Sequence, residues 1–364
     1  MSPLVVETHK RGPGPTVAIK DSLDVAGWPT RCGSRAFEAA PPAQRNATVV
    51  QSLLDAGWQV IGKTVLHELA FGVTGINDWA GTPINPQAPE RIAGGSSSGS
   101  AVIVAQGAVD AALGTDTGGS VRMPAACCGV YGLKPTFGRL SREGVYPQFS
   151  SLDCVGPMAR DLDTLVAAML AMDATFVMPR APERIRIGLV DVACDSNICA
   201  AIDEEVSRRG WGCEVVSLTL LDSAFEAALS VINAETWAAF GQYTGRGLLG
   251  ADIEARLLRA AATDDDELRA AEAVRTAFSE QVDGLLAQFD ALVLPSLPRL
   301  PPLLADVRAG APVIDLTRFL RPFNLSGHPA LSVPIPCPQT CLKTSLQLIG
   351  RKGGDAQLCA IANA

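Results

Sequence analysis

The chain has 364 residues, 48% of them hydrophobic and only 19% charged, with a formal net charge of -8. That length and apolar content suffice for a large buried core and argue against long charged disordered tails. The acidic balance also argues against a broad nucleic-acid-binding surface, which needs clustered Lys and Arg.

In chain order, Thr16–Lys20 reads as a short strand, with β-branched Val17 and Ile19. A helix is expected at about 46–56, where Val49, Val50, Leu53 and Leu54 make an apolar face. Trp58–Ile61 reads as the next strand. A Gly/Ser loop then leads into a helix over 97–109, and Ala111–Thr115 reads as a strand entering a second Gly/Ser loop. Residues 160–172 look helical and Ile185–Val192 extended. Two amphipathic helices follow. The first starts at Asp222 or Ser223 and carries Phe225, Leu229, Ile232 and Ala239. The second is capped by Thr263, opens on Asp264–Glu267, which suit the positive end of the dipole, and continues its stripe through Phe278, Val282, Leu285 and Phe289. Ala291–Leu294, 330–334 and 345–349 read as strands, with a last helix from Asp355. Alternating strands and helices without a repeat or long linker imply a single α/β domain over 1–364.

The N-terminal apolar run is too short for a signal-peptide core, and Gln106 and Asp110 break the run near 101–113 before it reaches membrane length. A soluble cytoplasmic protein is expected. None of the ten cysteines forms C-x-x-C, and none of the close pairs, Cys194/Cys199 or Cys337/Cys341, has a nearby histidine. They read as buried reduced thiols rather than a zinc site.

One stretch, GWQVIGKT at 57–64, matches the nucleotide-binding pattern G-x-x-x-x-G-K-[ST] through Gly57, Gly62, Lys63 and Thr64. The order of elements is wrong for it. A phosphate loop runs from strand to glycine turn to helix, whereas here Gly57 ends a helix and Trp-Gln-Val-Ile is itself strand-like. A strand leaving the core through a Gly-Lys turn is the better reading.

Two loops look chemical: Gly94-Gly95-Ser96-Ser97-Ser98-Gly99-Ser100 and Thr115-Asp116-Thr117-Gly118-Gly119-Ser120. Ser96 alone could be a helix cap, and the second loop alone could be a tight turn. Successive glycine amides beside a serine can equally stabilise a developing oxyanion. A nucleophilic serine needs a base. The three histidines offer little: His9 is near the terminus, His67 falls in helix-like Leu66-His67-Glu68-Leu69, and His328 follows a glycine. Lys20 is the alternative, since burial lowers a lysine's pKa towards the neutral form. Its ordinary explanation would be a buried ion pair with Asp21 or Asp24.

These pieces resemble the amidase signature family of serine hydrolases. The central block GGSSSGSAVIVAQGAVDAALGTDTGGSVRMPAACCGVYGLKPTFGR spans 94–139. VAIKDSLDVAG upstream, and SLDCVGPMARD and NLSGHPALSVP…SLQLIGR downstream, are similar to other family landmarks, so the resemblance runs from about residue 16 to the end. Ala56–Lys63 aligns with a common family segment. The resemblance implies a central mixed β-sheet with helices on both faces, a signature core at about 16–160 plus 290–364, and a variable substrate-shaping region at about 161–289.

It also implies a Ser-Ser-Lys triad. Ser120 is then the nucleophile, Ser96 the bridging serine on a cis peptide, and Lys20 the base. The oxyanion hole comprises the amides of Thr117, Gly118, Gly119 and Ser120, and Ser97, Asp116 and Arg122 support the loops. The expected activity is hydrolysis of a small-molecule amide through an acyl-enzyme, with no cofactor or metal and no nucleic-acid or membrane partner. Urea-like, carbamoyl, aryl and aliphatic amides all remain open as substrates. Alternatives are an amidotransferase A-type subunit drawing ammonia from glutamine with a partner protein, a non-catalytic relative, and a nucleotide-binding protein. A homodimer is also open. The stretch before Lys20, nineteen residues, is shorter than is common in the family, and the 161–289 region is compact. Both bear on pocket closure and substrate size.

Overall fold

The computed structural model describes residues 2–7 and 12–364, so His9 lies outside the described residues. Among the described residues eleven strands form one sheet: β1 Leu4–Glu7, β2 Thr16–Lys20, β3 Gln59–Thr64, β4 Ala111–Asp116, β5 Tyr131–Lys134, β6 Cys154–Ala159, β7 Arg186–Val190, β8 Gly212–Val216, β9 Ala291–Pro295, β10 Ala330–Pro336 and β11 Lys343–Ile349. Their order is β1-β3-β2-β4-β6-β5-β10-β11-β9-β7-β8. β2 runs parallel to both β3 and β4, β7 runs parallel to both β8 and β9, and antiparallel pairs complete a mixed sheet.

The helices are α1 Thr48–Asp55, α2 Ser98–Ala105, α3 Arg122–Cys128, α4 Leu162–Met172, α5 Ser196–Arg209, α6 Leu221–Phe240, α7 Ala251–Ala260, α8 Asp265–Leu286, α9 Leu304–Arg308, α10 Pro322–Leu325 and α11 Asp355–Asn363. The two-residue alternation of the strands divides them between faces. Val17 and Ile19 of β2, with Ala111 and Leu113 of β4, pack in one core with α1, α4, α5 and α11. Ala18 and Ala112 pack in another with α2 and α3. Burying both faces is what parallel central strands require, and it explains why their sequences are almost continuously apolar. α6, α8 and α10 pack on Leu292, Leu294 and Ala330 further along the sheet.

Several expectations shift. The helix read over 97–109 stops at Ala105. The cap of α8 is Asp264, not Thr263: its side chain accepts from the Glu267 amide at 2.8 Å. α7 is not among the elements expected, although Ile253, Leu257 and Ala260 keep helical spacing among its charged neighbours. β8 is an edge strand with mostly exposed side chains, so it lacks an alternating pattern. The cysteines are not all buried thiols: Cys194 is joined to Cys199 across the start of α5, and Cys213 and Cys341 are exposed. Among the described residues no helix is long and apolar enough to cross a membrane.

Candidate active site

Lys20 ends β2 between two parallel neighbours, which bury it completely. Its Nζ lies 2.7 Å from Ser96 Oγ and 2.7 Å from Thr115 Oγ1. The ion pair expected with Asp21 or Asp24 is not formed, since Asp21 pairs instead with Lys63 at 2.7 Å. Burial pulls the Lys20 pKa down to about 8, against the opposing pull of Asp153 and Asp116. A buried amine held by two hydroxyls is poised to exchange a proton near neutrality.

Ser96 precedes α2 and does not cap it; the cap position is Ser97, and no side-chain cap bond forms there. The Gly95–Ser96 peptide is cis. The carbonyl of Ser96 accepts from the amides of His67 and Ser98, at 3.0 and 2.9 Å. Ser97 ties the two loops together. Its amide donates to the Ser120 carbonyl at 3.2 Å, and its hydroxyl donates to the Thr115 carbonyl at 3.3 Å.

Ser120 begins the turn into α3 and is 9% exposed. Among the described residues no hydrogen bond joins Ser120 Oγ to Ser96 Oγ, so Lys20 and Ser96 meet while Ser120 is linked to them through its backbone. Gly119 cannot be replaced simply: its φ is +113°, and a Cβ there would lie 2.8 Å from Leu320 Cβ. Its amide donates to Asp116 Oδ1 at 2.8 Å. That occupies one of the four amides expected to face an oxyanion, and leaves those of Thr117, Gly118 and Ser120 without an acceptor among the described residues.

Asp116 and Arg122 hold this turn. Both are fully buried and 2.8 Å apart, and Asp116 also accepts from the amides of Val121 and Arg122 and from Asn324 Nδ2. Burial would raise the Asp116 pKa, but the Arg122 charge and these donors outweigh it and hold the carboxyl well below the usual range. Arg122 reaches on to the Leu320 carbonyl and Gln347. Sequence reasoning missed Thr115 as a Lys20 partner, and Asp153, which accepts from Thr117 Oγ1 at 2.8 Å and Arg142 Nε at 3.0 Å. Both sit inside quoted motifs, but only their placement in space shows what they touch.

Neither described imidazole hydrogen-bonds Ser96 or Ser120; His67 reaches Ser96 only through its backbone amide. His67 precedes a short 3-10 turn at Glu68–Ala70 rather than lying in a helix, with Nδ1 3.2 Å from Thr74 Oγ1 and Nε2 3.6 Å from Asp252. His328 is buried between Ser326 and Asp283, at 2.9 and 3.0 Å, and burial lowers its pKa to about 4. Lys63, from the nucleotide-like motif, is fully buried in β3. It donates to the Pro29 carbonyl and Thr30 Oγ1 and pairs with Asp21, while β1 passes so close to Gly62 that a Cβ would collide with the Val6 carbonyl. The motif lysine is thus taken up by contacts within the fold.

A cavity of about 890 Å³ opens from His67 and Glu68 past Asn77 to Arg256 and Arg259. A second, of about 510 Å³, shares Val73, Arg256 and Arg259 with it and adds Phe71 and Leu229. Lys20, Ser96 and Ser120 line neither wall; the larger cavity approaches them through His67, whose amide holds Ser96.

The family model described as Amidase matches residues 13–177 and 212–359. The chain belongs to the amidase signature family. Among its relatives, the A-type subunit of the glutamyl-tRNA(Gln) amidotransferase of Methanosarcina acetivorans is 33% identical over 95% of this chain and 83% of its own length. Amidase 1 of Oryza sativa subsp. japonica is 33% identical over 94% of this chain and 87% of its own. The solved structure of the corresponding glutamyl-tRNA(Gln) amidotransferase A-type subunit from Thermotoga maritima superposes with a TM-score of 0.84 at 29% identity, covering 98% of this chain and 85% of that one. In this amidase-family chain, the contacts around Lys20 and Ser96 therefore belong to a fold shared with amidases and amidotransferase subunits.

Proposed function

We propose that this amidase-family enzyme hydrolyses a carboxamide of a small molecule to a carboxylate and ammonia or an amine, with Ser120 as nucleophile, Ser96 as proton bridge and Lys20 as base. The observation that carries this reading is the 2.7 Å contact between Lys20 Nζ and Ser96 Oγ, made by an amine whose pKa burial brings to about 8. Neutral Lys20 takes the Ser96 proton as Ser96 takes that of Ser120. Ser120 Oγ bonds to the amide carbon, and the amides of Thr117, Gly118 and Ser120 are the donors available to the oxyanion. The proton returns through Ser96 to the leaving nitrogen, the C–N bond breaks, and water cleaves the acyl-enzyme by the same relay. The relay requires a Ser120–Ser96 hydrogen bond that forms when substrate binds, since catalytic hydrogen bonds are commonly completed only in the substrate complex. A fluorophosphonate probe followed by mass spectrometry tests it. An adduct on Ser120 that disappears in Lys20→Ala supports the relay; labelling elsewhere, or labelling that survives Lys20→Ala, rejects it.

The similarity to two amidotransferase A-type subunits supports a second reading, in which glutamine is the amide and a partner protein receives the ammonia. Glutamine hydrolysis that appears only on adding such a partner would favour it.

A further inference from the structure

Arg321 is a buried charge that the proposed relay does not use. It follows the 3-10 turn at Ile314–Thr317 and immediately precedes α10, and is 3% exposed. Its Nε and Nη1 are buried without a hydrogen-bond partner, and it forms no ion pair among the described residues. Its guanidinium lies over the Phe225 ring, 4.4 Å from the centroid. A Cβ on Gly118 would stand 3.5 Å from Arg321 Nε, so the guanidinium borders the loop that carries Ser120.

A second arginine stands nearby. Arg256 of α7 lies over Phe71, 4.5 Å from the ring centroid, and lines both cavities. The Arg256 charge acts on Arg321, and that of Arg259 on Arg256. Burial first, and then Arg256, lower the Arg321 pKa to about 9, which keeps the group cationic at neutral pH. The acidic groups acting on the pair are Asp252 on Arg256 and exposed Glu226 on Arg321. Neither forms an ion pair with them, and Asp252 faces His67. A buried guanidinium with unused donors beside a second cation is costly unless an anion completes it. Guanidinium geometry suits a carboxylate, which it can bind through two parallel hydrogen bonds.

We propose that Arg321, backed by Arg256, is a carboxylate-binding subsite beside the Gly118 loop, selecting amides that carry a carboxylate a few bonds from the scissile carbonyl. This rests on the amidase reading above and narrows its substrate class to short monoamides of dicarboxylic acids.

The test compares malonamate, succinamate and glutaramate with propionamide, butyramide and valeramide, following ammonia release by the wild-type protein. At least one charged amide should exceed its uncharged counterpart by about 30-fold or more in kcat/KM, since a site with buried donors discriminates strongly against a ligand that leaves them unpaired. Arg321→Met should lower kcat/KM for that charged amide at least about tenfold more than for the uncharged one, mainly through KM, and Arg321→Lys should recover part of the loss. Calorimetric titration of Ser120→Ala with succinate reads the subsite without catalysis, and the added Arg321→Met change should abolish binding. Should Arg321→Met fail to fold, the wild-type preference and the same measurements on Arg256→Met decide. Equal or better hydrolysis of the uncharged amides, with no binding of succinate, overturns the subsite and leaves the amidase reading standing. Succinate binding that depends on Arg321, with none of the six amides cleaved, supports the subsite and counts against the amidase reading.

Discussion

Two lysines at the ends of neighbouring parallel strands make an instructive pair. Lys20 closes β2 and Lys63 lies next to the end of β3; both are fully buried. Lys63 meets a carboxylate, Asp21, at 2.7 Å. Lys20 meets only two hydroxyls at that distance. Equal burial thus gives a compensated cation in one place and an amine with a depressed pKa in the other. The partner, not the depth, separates a structural lysine from one able to act as a base.

Activity should break the pair apart most sharply. Lys20→Met is expected to lower kcat/KM by about 10³-fold or more, in the range for loss of a general base, with little loss of melting temperature, because it removes an uncompensated buried amine. A Lys20→Met enzyme that kept most of its rate on any amide the wild type cleaves would end the comparison. Lys63→Met should do the reverse. It strands Asp21 and should cost about 3–5 kcal/mol in denaturant unfolding, and Lys63→Met/Asp21→Asn should recover part of that. A double variant as unstable as the single one would show that the two side chains are not coupled.

A pH profile sharpens the pair further. Lys20 must be neutral to act, so kcat/KM should rise with pH through about 8, falling about tenfold per unit below it. Stability carries the same sign. Between a folded pKa of about 8 and the ordinary value of 10.5 the unfolded chain holds the extra proton, so raising the pH through that window stabilises the fold. A rate profile flat from pH 6 to 9 would remove Lys20 from the base role. The smallest effect is expected from Thr115→Val. Loss of this acceptor removes a hydrogen bond that favours the charged amine, and should move the rising limb to lower pH by less than about one unit.

The two strands also mark what could be read in advance. β2 and β3 were visible from their β-branched and apolar runs, and the 94–139 block from its glycines and serines. The motif around Lys20 and the order of elements around Lys63 set the two lysines apart, but the partner of Asp21 was hidden, because Asp21 follows Lys20 in sequence yet bonds Lys63. Other features were hidden for reasons of their own. The Gly119 amide is taken by Asp116 three residues earlier, Arg321 reaches the Gly118 loop from some two hundred residues away, and β8 carries too few buried side chains to leave a pattern. Chain-local chemistry survives in a sequence; pairing across a sheet does not.

The contact between α6 and the Ser120 loop has its own consequence. Ile232 Cδ1 lies 3.1 Å from where a Gly118 Cβ would be, so a helix outside the 94–139 block forms the roof over that loop. A change at this one helical position reshapes the space above Gly118 while the lysine and both serines stay in place. The fold and the proposed relay can therefore stay intact while this roof changes, and Ile232 is a natural first position to randomise when altering which molecules the enzyme accepts.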